Sequence, residues 1–450
     1  MLFLSTGTTK STEDSLPILD NYVSYSACLC LYVTTAEEWP VPFNISAPAT
    51  DYSASGVVRY GEVVKFEFES SNYALRSTRE RGKVIAIKAE SNGKLIVYGG
   101  NLHQHSSDTF LVLPKQEYVQ QNPYKYIAVS YFSGLSQYNS SVAIIAQYNG
   151  TQLSITSKED ITIDDTLTLT GAATNITLQE GEAFLVQSQH DLTGLQVTSN
   201  TPLAMMSGNE CTYVPNSTRA CDHLVEQIPP VSSWGQAFVT APLKGRQAYD
   251  VFRILASENL TMVEVNCTLS ADQPTLYNTT STYMINEGHF VEFQVSSSQY
   301  CLIEGNESIL VLQYSIGYKA DNLSGDPTMI IVPAVSQYCK HYSLPTFQPD
   351  DNSFTFSHYM NVFIPAQYYQ PTQILFDNQQ LSSSNLIFTA INQDGAPQVY
   401  AAQVDLTEGV HTLRHADAEA TLGVIMYGFG FANSYGHPGG LCLTEGTYAN

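Results

Sequence analysis

Apolar and polar positions alternate in short runs along most of the chain, the period of half-buried strands. Ala86-Ile87-Lys88-Ala89-Glu90 and Leu195-Gln196-Val197-Thr198-Ser199 are two such runs. Each ends in Ser/Asn/Gly/Thr/Pro turn chemistry and then enters a more continuous apolar run, Leu95-Ile96-Val97-Tyr98 or Leu203-Ala204-Met205-Met206. No segment sustains a helical period, and Thr35 to Trp39 is the only short helix-like patch. The pattern predicts an all-β protein.

The runs repeat. A Gly beside an acidic residue opens a strand at Gly61, Gly181, Gly288 and Gly409, spaced 120, 107 and 121 residues apart. An apolar–Pro step followed by an aromatic strand recurs at Leu113-Pro114, Ile228-Pro229 and Val332-Pro333, where proline fixes φ at a strand entry. Four units follow. The expected division is an N-terminal tail over 1–23, then β modules over 24–112, 113–227, 228–331 and 332–446. Six or seven strands in roughly 100 residues fit a β-sandwich, so tandem sandwich-like modules are expected. A pseudo-symmetric propeller-like β ring is the alternative.

Composition adds location and excludes some partners. A net charge of −23 disfavours nucleic acid, whose phosphates need clustered Lys and Arg. No apolar run is long enough to span a bilayer, and Met1 to Lys10 lacks the apolar stretch of a secretory leader, so either the N-terminus is incomplete or the chain is cytosolic. Two features nevertheless point outside the cell. Asn-x-Ser/Thr occurs at Asn44, Asn139, Asn149, Asn175, Asn216, Asn259, Asn266, Asn278, Asn306 and Asn322. That is about twice what random placement gives, and all ten precede residue 323. The eight cysteines, Cys28, Cys30, Cys211, Cys221, Cys267, Cys301, Cys339 and Cys442, are even in number and show no zinc-type spacing. They read as a disulfide framework, with Cys211 and Cys221 closing a short loop and Cys267 and Cys301 within one unit.

The stretch from Ser207-Gly208-Asn209-Glu210-Cys211 through Ala220-Cys221-Asp222-His223 to Ser233-Trp234-Gly235 is distinctive. With Asp191-Leu192-Thr193-Gly194, Gly325-Asp326-Pro327-Thr328-Met329 and Ser434-Tyr435-Gly436-His437-Pro438-Gly439-Gly440, it resembles the N-terminal domain of the IgGFc-binding protein family. The resemblance covers roughly residues 25 to 445. It implies a secreted module of gel-forming or adhesive proteins whose partner is a glycoprotein: a mucin, a matrix component or an immunoglobulin Fc region. A non-binding structural spacer in a matrix or mucus gel is the alternative. Gly325-Asp326-Pro327-Thr328 departs from the self-cleaving Gly-Asp-Pro-His sequence of the family's other domains at Thr328, so cleavage is not expected.

Candidate chemistry is sparse. No nucleophile elbow, zinc-protease helix or phosphate loop is present, so neither an enzyme nor a cofactor is expected. His103 and His105 share a strand face but lack a third metal ligand, as do His411, His415 and Asp417. The acidic turns Asp164-Asp165 and Asp350-Asp351-Asn352 lack the spacing of a calcium loop. Arg76, Arg79, Arg81 and Lys83 form the one dense basic stretch, a possible contact patch for an anionic surface.

Overall fold

A computed structural model describes residues 13–16, 19, 21 and 28–443, except 91–92, 117, 119–122, 133, 164–165, 169, 270–278, 349–353, 382–385 and 394–395. The chain is all-β, and every strand pairing among the described residues is antiparallel. The short helix-like patch at Thr35–Trp39 forms no helix. Among the described residues the one α-helical turn is Ser70–Tyr73.

One topology recurs four times. In each unit an outer sheet has the strand order first, sixth, third, fourth, and an inner sheet contains the order fifth, second, seventh, eighth. The inner sheet is extended beyond the fifth strand by Ile161–Ile163 and Thr166–Thr168 in the second unit and by Thr389–Gln393 in the fourth. In the first unit these are Glu13–Leu16, Ile85–Ala89, Val41–Ala47 and Tyr52–Val58, then Val64–Glu69, Cys28–Thr34, Ile96–Leu102 and Asp108–Val112. The third unit merges its sixth and seventh strands into Gln299–Tyr314, which pairs with the outer sheet up to Gly305 and with the inner sheet from Ile309. The stretch 1–23, read as a tail, supplies the first strand of the first unit. The repeated glycines Gly61, Gly181 and Gly288 sit at positive φ before each fifth strand. Gly409 instead precedes a sixth-position strand, Val410–His415, so the fourth sequence copy lies one strand out of structural register.

The units are sandwiches, and they close into a ring. The burial pattern shows why. Outer-sheet strands alternate, as in Thr151–Thr156, because one face meets solvent. Inner-sheet strands such as Ser140–Ala146 are buried along their whole length, because both faces are covered. Val142, Ile144 and Ala146 point into the core of their own unit, whereas Ala143 and Ile145 join the core of the first. The third unit likewise lends Val251 and Leu255 to the second core, and the fourth lends Phe363 and Tyr427 to the third. Tyr32 and Tyr98 of the first unit then pack on Phe347, Phe356 and Tyr435 of the fourth. Each large apolar side chain buried at these seams contributes about 1.5–3 kcal/mol. The four eighth strands, Asp108–Val112, Asp222–Gln227, Met329–Ile331 and Asn433–Pro438, meet around the ring axis, and we term them hub strands.

Close approach at the hub demands glycine next to it. Gly99 and Gly428 lie opposite Phe110 and Tyr435, and a Cβ at either glycine would stand 2.3 Å from the facing ring. At Gly208 a Cβ would meet the Leu224 carbonyl oxygen at 1.8 Å, so the backbones of the seventh and eighth strands there tolerate no side chain.

Candidate binding surface

The hub is polar and buried. Asp108, Asp222 and Asn433 begin three of the hub strands, and Asp326 lies just ahead of the fourth, separated from Met329 by Pro327 and Thr328. Asp108 Oδ1 accepts from Thr109 N (2.9 Å) and Thr328 Oγ1 (2.5 Å), and Oδ2 accepts from Val225 N (3.1 Å) and Met329 N (3.2 Å). One carboxylate thus ties three units. Asp222 accepts from Ser107 N, and Glu226 from Ile331 N. Burial pushes the carboxyls of Asp108, Asp222 and Glu226 up, and that of Asp326 to about 6. His223 lies in the same buried layer, pushed down to about 4 by burial. A sequence signal for the hub existed: an acid six or seven residues before each joining proline, at Asp108, Asp222 and Asp326.

A second buried knot joins units two and three. Arg253 pairs with Asp191 (2.7 Å) and Glu292 (2.8 Å), donates to Ser130 O, and lies between the rings of Tyr131 and Phe290. The residues that carry the family resemblance sit at such joints. Asp191 and Thr193 hold Arg253, Asn209 donates to Tyr131 O, and Trp234 Nε1 donates to Pro229 O. Gly235 leaves room only for Ala334, against whose Cβ a side chain would stand 2.3 Å away. These motifs sit at the joints of the ring, and Asp191, Leu192 and Thr193 also line a cavity of about 240 Å³ with Lys158, His289 and Phe290.

The sequence-derived candidates fall as follows. Six cysteines join as Cys211–Cys221, Cys267–Cys301 and Cys339–Cys442, while Cys28 and Cys30 remain thiols. Disulfide pairing of Cys221 leaves His223 without a thiol partner for nucleophilic chemistry. His103 Nδ1 accepts from His105 N, and His411 bonds Asp377 Oδ2 and Thr407 O while stacking on Phe376. His415 Nδ1 accepts from Asp417 N, so neither histidine group converges on a common point. Both acidic turns and Asn278 lie outside the described residues.

The basic stretch is largely built into the fold. Arg79–Arg81 forms a strand that pairs with Glu182–Ser188 of the second unit. Glu80 accepts from Arg76 N and Ser77 N and pairs with Lys83 (2.6 Å). Arg79 covers the Phe184 ring, while the side chains of Arg76, Arg79 and Arg81 keep exposed surface.

Of the nine described sequon asparagines, Asn44, Asn149, Asn175, Asn216, Asn259, Asn306 and Asn322 are exposed, and Asn139 and Asn266 are half-buried. They lie on outer sheets, turns and loops. One belongs to the first unit, and none to the fourth. At the seam of those two units is a groove of about 490 Å³. Leu95, Leu111, Leu113 and Leu441 give it an apolar floor, closed on one side by the Cys339–Cys442 disulfide. Lys94, Lys340, His341 and Glu37 stand at its rim. Burial raises the Glu37 carboxyl. The Lys340–Glu419 pair is 3.4 Å long between exposed side chains and leaves Lys340 available to a ligand. The groove was invisible in the sequence because its walls are over two hundred residues apart, although the repeated apolar–Pro step marked one of them.

The human IgGFc-binding protein is 27% identical over 336 residues, 72% of this chain and 6% of that protein's length. The chain therefore spans a small part of the curated relative it matches. A solved tetra-tandem repeat from the extending region of a large adhesion protein is 11% identical and covers 95% and 98% of the two chains, but its TM-score of 0.10 carries no argument. The family profile described as IgGFc binding protein matches residues 108–428. That match runs from the first hub strand into the last inner sheet, and by it the chain belongs to the IgGFc-binding protein family.

Proposed function

We propose that the chain is an extracellular recognition module that engages a glycoprotein partner through the glycan-poor side of the ring, at the seam of the fourth and first units. A mucin, a matrix glycoprotein or an immunoglobulin Fc region is the kind of partner, following the name of the human relative.

The observation that carries the reading is the distribution of sequons. Nine of ten fall in units two and three, from Asn139 to Asn322, and the seam groove lies in the half that carries only Asn44. A glycan on a contact face blocks a protein partner, so bare surface beside decorated surface is where recognition fits. An apolar floor with Lys94, Lys340 and His341 at its rim suits an acidic segment bearing apolar side chains. A rigid β scaffold with variable loops suits binding.

The test is a biosensor titration of the chain, made in a secretory eukaryotic host, over immobilised Fc, mucin and an unrelated glycoprotein at two salt concentrations. Saturable binding to Fc or mucin is expected, and Lys94→Glu with Lys340→Glu should weaken it about ten-fold or more. Arg79→Glu with Arg81→Glu should leave it unchanged. Silence on all three surfaces from an oxidised, monomeric sample would overturn recognition and favour the spacer reading.

A further inference from the structure

Cys28 and Cys30 stand apart from the other six cysteines. They lie on one face of the central inner strand Cys28–Thr34, with their Sγ atoms 2.8 Å apart. That is closer than two unbonded sulfurs rest. Residues two apart on a strand have Cα atoms about 6.6 Å apart, inside the Cα limit for a disulfide. Their parallel side chains leave the Cβ atoms farther apart than the roughly 3.5–4.5 Å a bridge needs, so closure requires Cys28, the first residue of the strand, to shift. Glu67 lies opposite Cys30 in register, its Oε1 3.9 Å from the Cys30 sulfur, and is itself paired with Lys65 at 2.7 Å. Cys28 is half-buried at the strand entry, whereas Cys30 is buried in the packing of unit one against unit four.

We propose that Cys28 and Cys30 form a reversible dithiol–disulfide site that exchanges with disulfides of other molecules. In the oxidising direction, the accessible Cys28 thiolate attacks one sulfur of a partner disulfide, giving a mixed disulfide and releasing one partner thiolate, which takes up a proton. Cys30 then loses its proton and attacks the Cys28 sulfur. The second partner thiol leaves, so two thiols and one disulfide become one disulfide and two thiols. The reverse path attaches a partner thiol covalently to Cys28.

Three features distinguish the pair from a structural bridge. A bridge between neighbours closes too short a loop to constrain the unfolded chain, so it adds little stability. The pair is split into one accessible and one buried sulfur, as attack followed by resolution requires. The remaining six cysteines already form the framework. Cys28, Cys30 and Glu67 are also the one cluster among the described residues with metal-ligand composition. Two sulfurs on a tetrahedral zinc sit about 3.8 Å apart and two in a disulfide about 2 Å, so the 2.8 Å contact lies between them, and the experiment below includes zinc as the competing outcome.

The experiment uses the full chain from a secretory host, equilibrated in glutathione buffers of graded redox ratio and trapped by alkylation for peptide mass spectrometry. A Cys28–Cys30 peptide two hydrogens lighter than the dithiol is expected from the oxidised chain. It should open at a ratio of reduced to oxidised glutathione roughly ten-fold lower than the other three bridges. Cys30→Ser should retain a glutathione adduct on Cys28, and Cys28→Ser should take none at Cys30. Thermal unfolding of both variants checks that the ring persists. The proposal is overturned if both thiols stay alkylatable under oxidised glutathione, if all four bridges open together, or if the pair is masked by one equivalent of zinc that a chelator releases.

Discussion

Asp108 accepts four hydrogen bonds from three units, and its replacement is the sharpest test of the hub. In Asp108→Ala the amides of Thr109, Val225 and Met329 lose their acceptor in a site with no solvent access. Each such donor left unpaired costs about 1–3 kcal/mol, while the Thr328 hydroxyl can rotate elsewhere. Removing the carboxylate also relieves its burial cost, so the lower part of the range applies, about 3–5 kcal/mol. Asp108→Asn keeps one oxygen, which can still serve Val225 and Met329, and its amide can donate to the Thr328 hydroxyl. One buried amide is then stranded, at about 1–3 kcal/mol. Urea unfolding followed by tryptophan fluorescence reads the difference, since Trp234 is buried at the joint of units two and three and Trp39 is exposed. The expected order is wild type, Asn, Ala, with the exposed Asp405→Ala control within about 0.5 kcal/mol of wild type. Equal midpoints for Asp108→Ala and Asp108→Asn, or a loss below about 1 kcal/mol for Ala, would refute the view that this carboxylate pins the hub strands.

Burial raises Asp250 to about 7 and Asp326 to about 6, so both bind a proton more tightly folded than unfolded. Their contribution is therefore full below about pH 4 and lost as pH rises through 6 to 7; melts should show higher stability at pH 5 than at pH 8, with a flatter profile in Asp250→Asn. Replacing Cys339 and Cys442 by serine opens a 103-residue loop and should cost about 2–4 kcal/mol by denaturant titration, while loosening the seam groove. Arg253→Ala leaves Asp191 and Glu292 without their cation and should destabilise by about 3–5 kcal/mol, whereas Arg79→Ala, on the surface, should stay within about 0.5. Glycopeptide mapping should find occupied sites among Asn44, Asn149, Asn175, Asn216, Asn259, Asn306 and Asn322, all of which are exposed.

The alternation of Val41–Ala47 and Thr151–Thr156 was legible because one face of each outer sheet meets water, and a period of two records that directly. The continuous apolar runs at Ser140–Ala146 and Gly423–Gly430 were legible as strands, but not as double-sided ones. A run buried on both faces reads the same whether its second cover is its own unit or the next. Equally, Asp191-Leu192-Thr193 and Gly325-Asp326-Pro327 stood out as motifs, yet nothing local in them distinguishes a ligand site from a joint.

The sequence alone determined the all-β class, the four-fold repetition and the turn glycines, since these rest on short-range periodicity and on φ preferences carried within a few residues. Tertiary structure decided the closure of four sandwiches into a ring, the meeting of four hub strands, the groove between the first and last units and the contact of Cys28 with Cys30. The first three depend on packing between residues a hundred or more positions apart, where burial of a shared apolar face and satisfaction of buried amides set the outcome. The cysteine contact depends on two rotamers leaning together on one strand face, which spacing permits and only the packed side chains around them select.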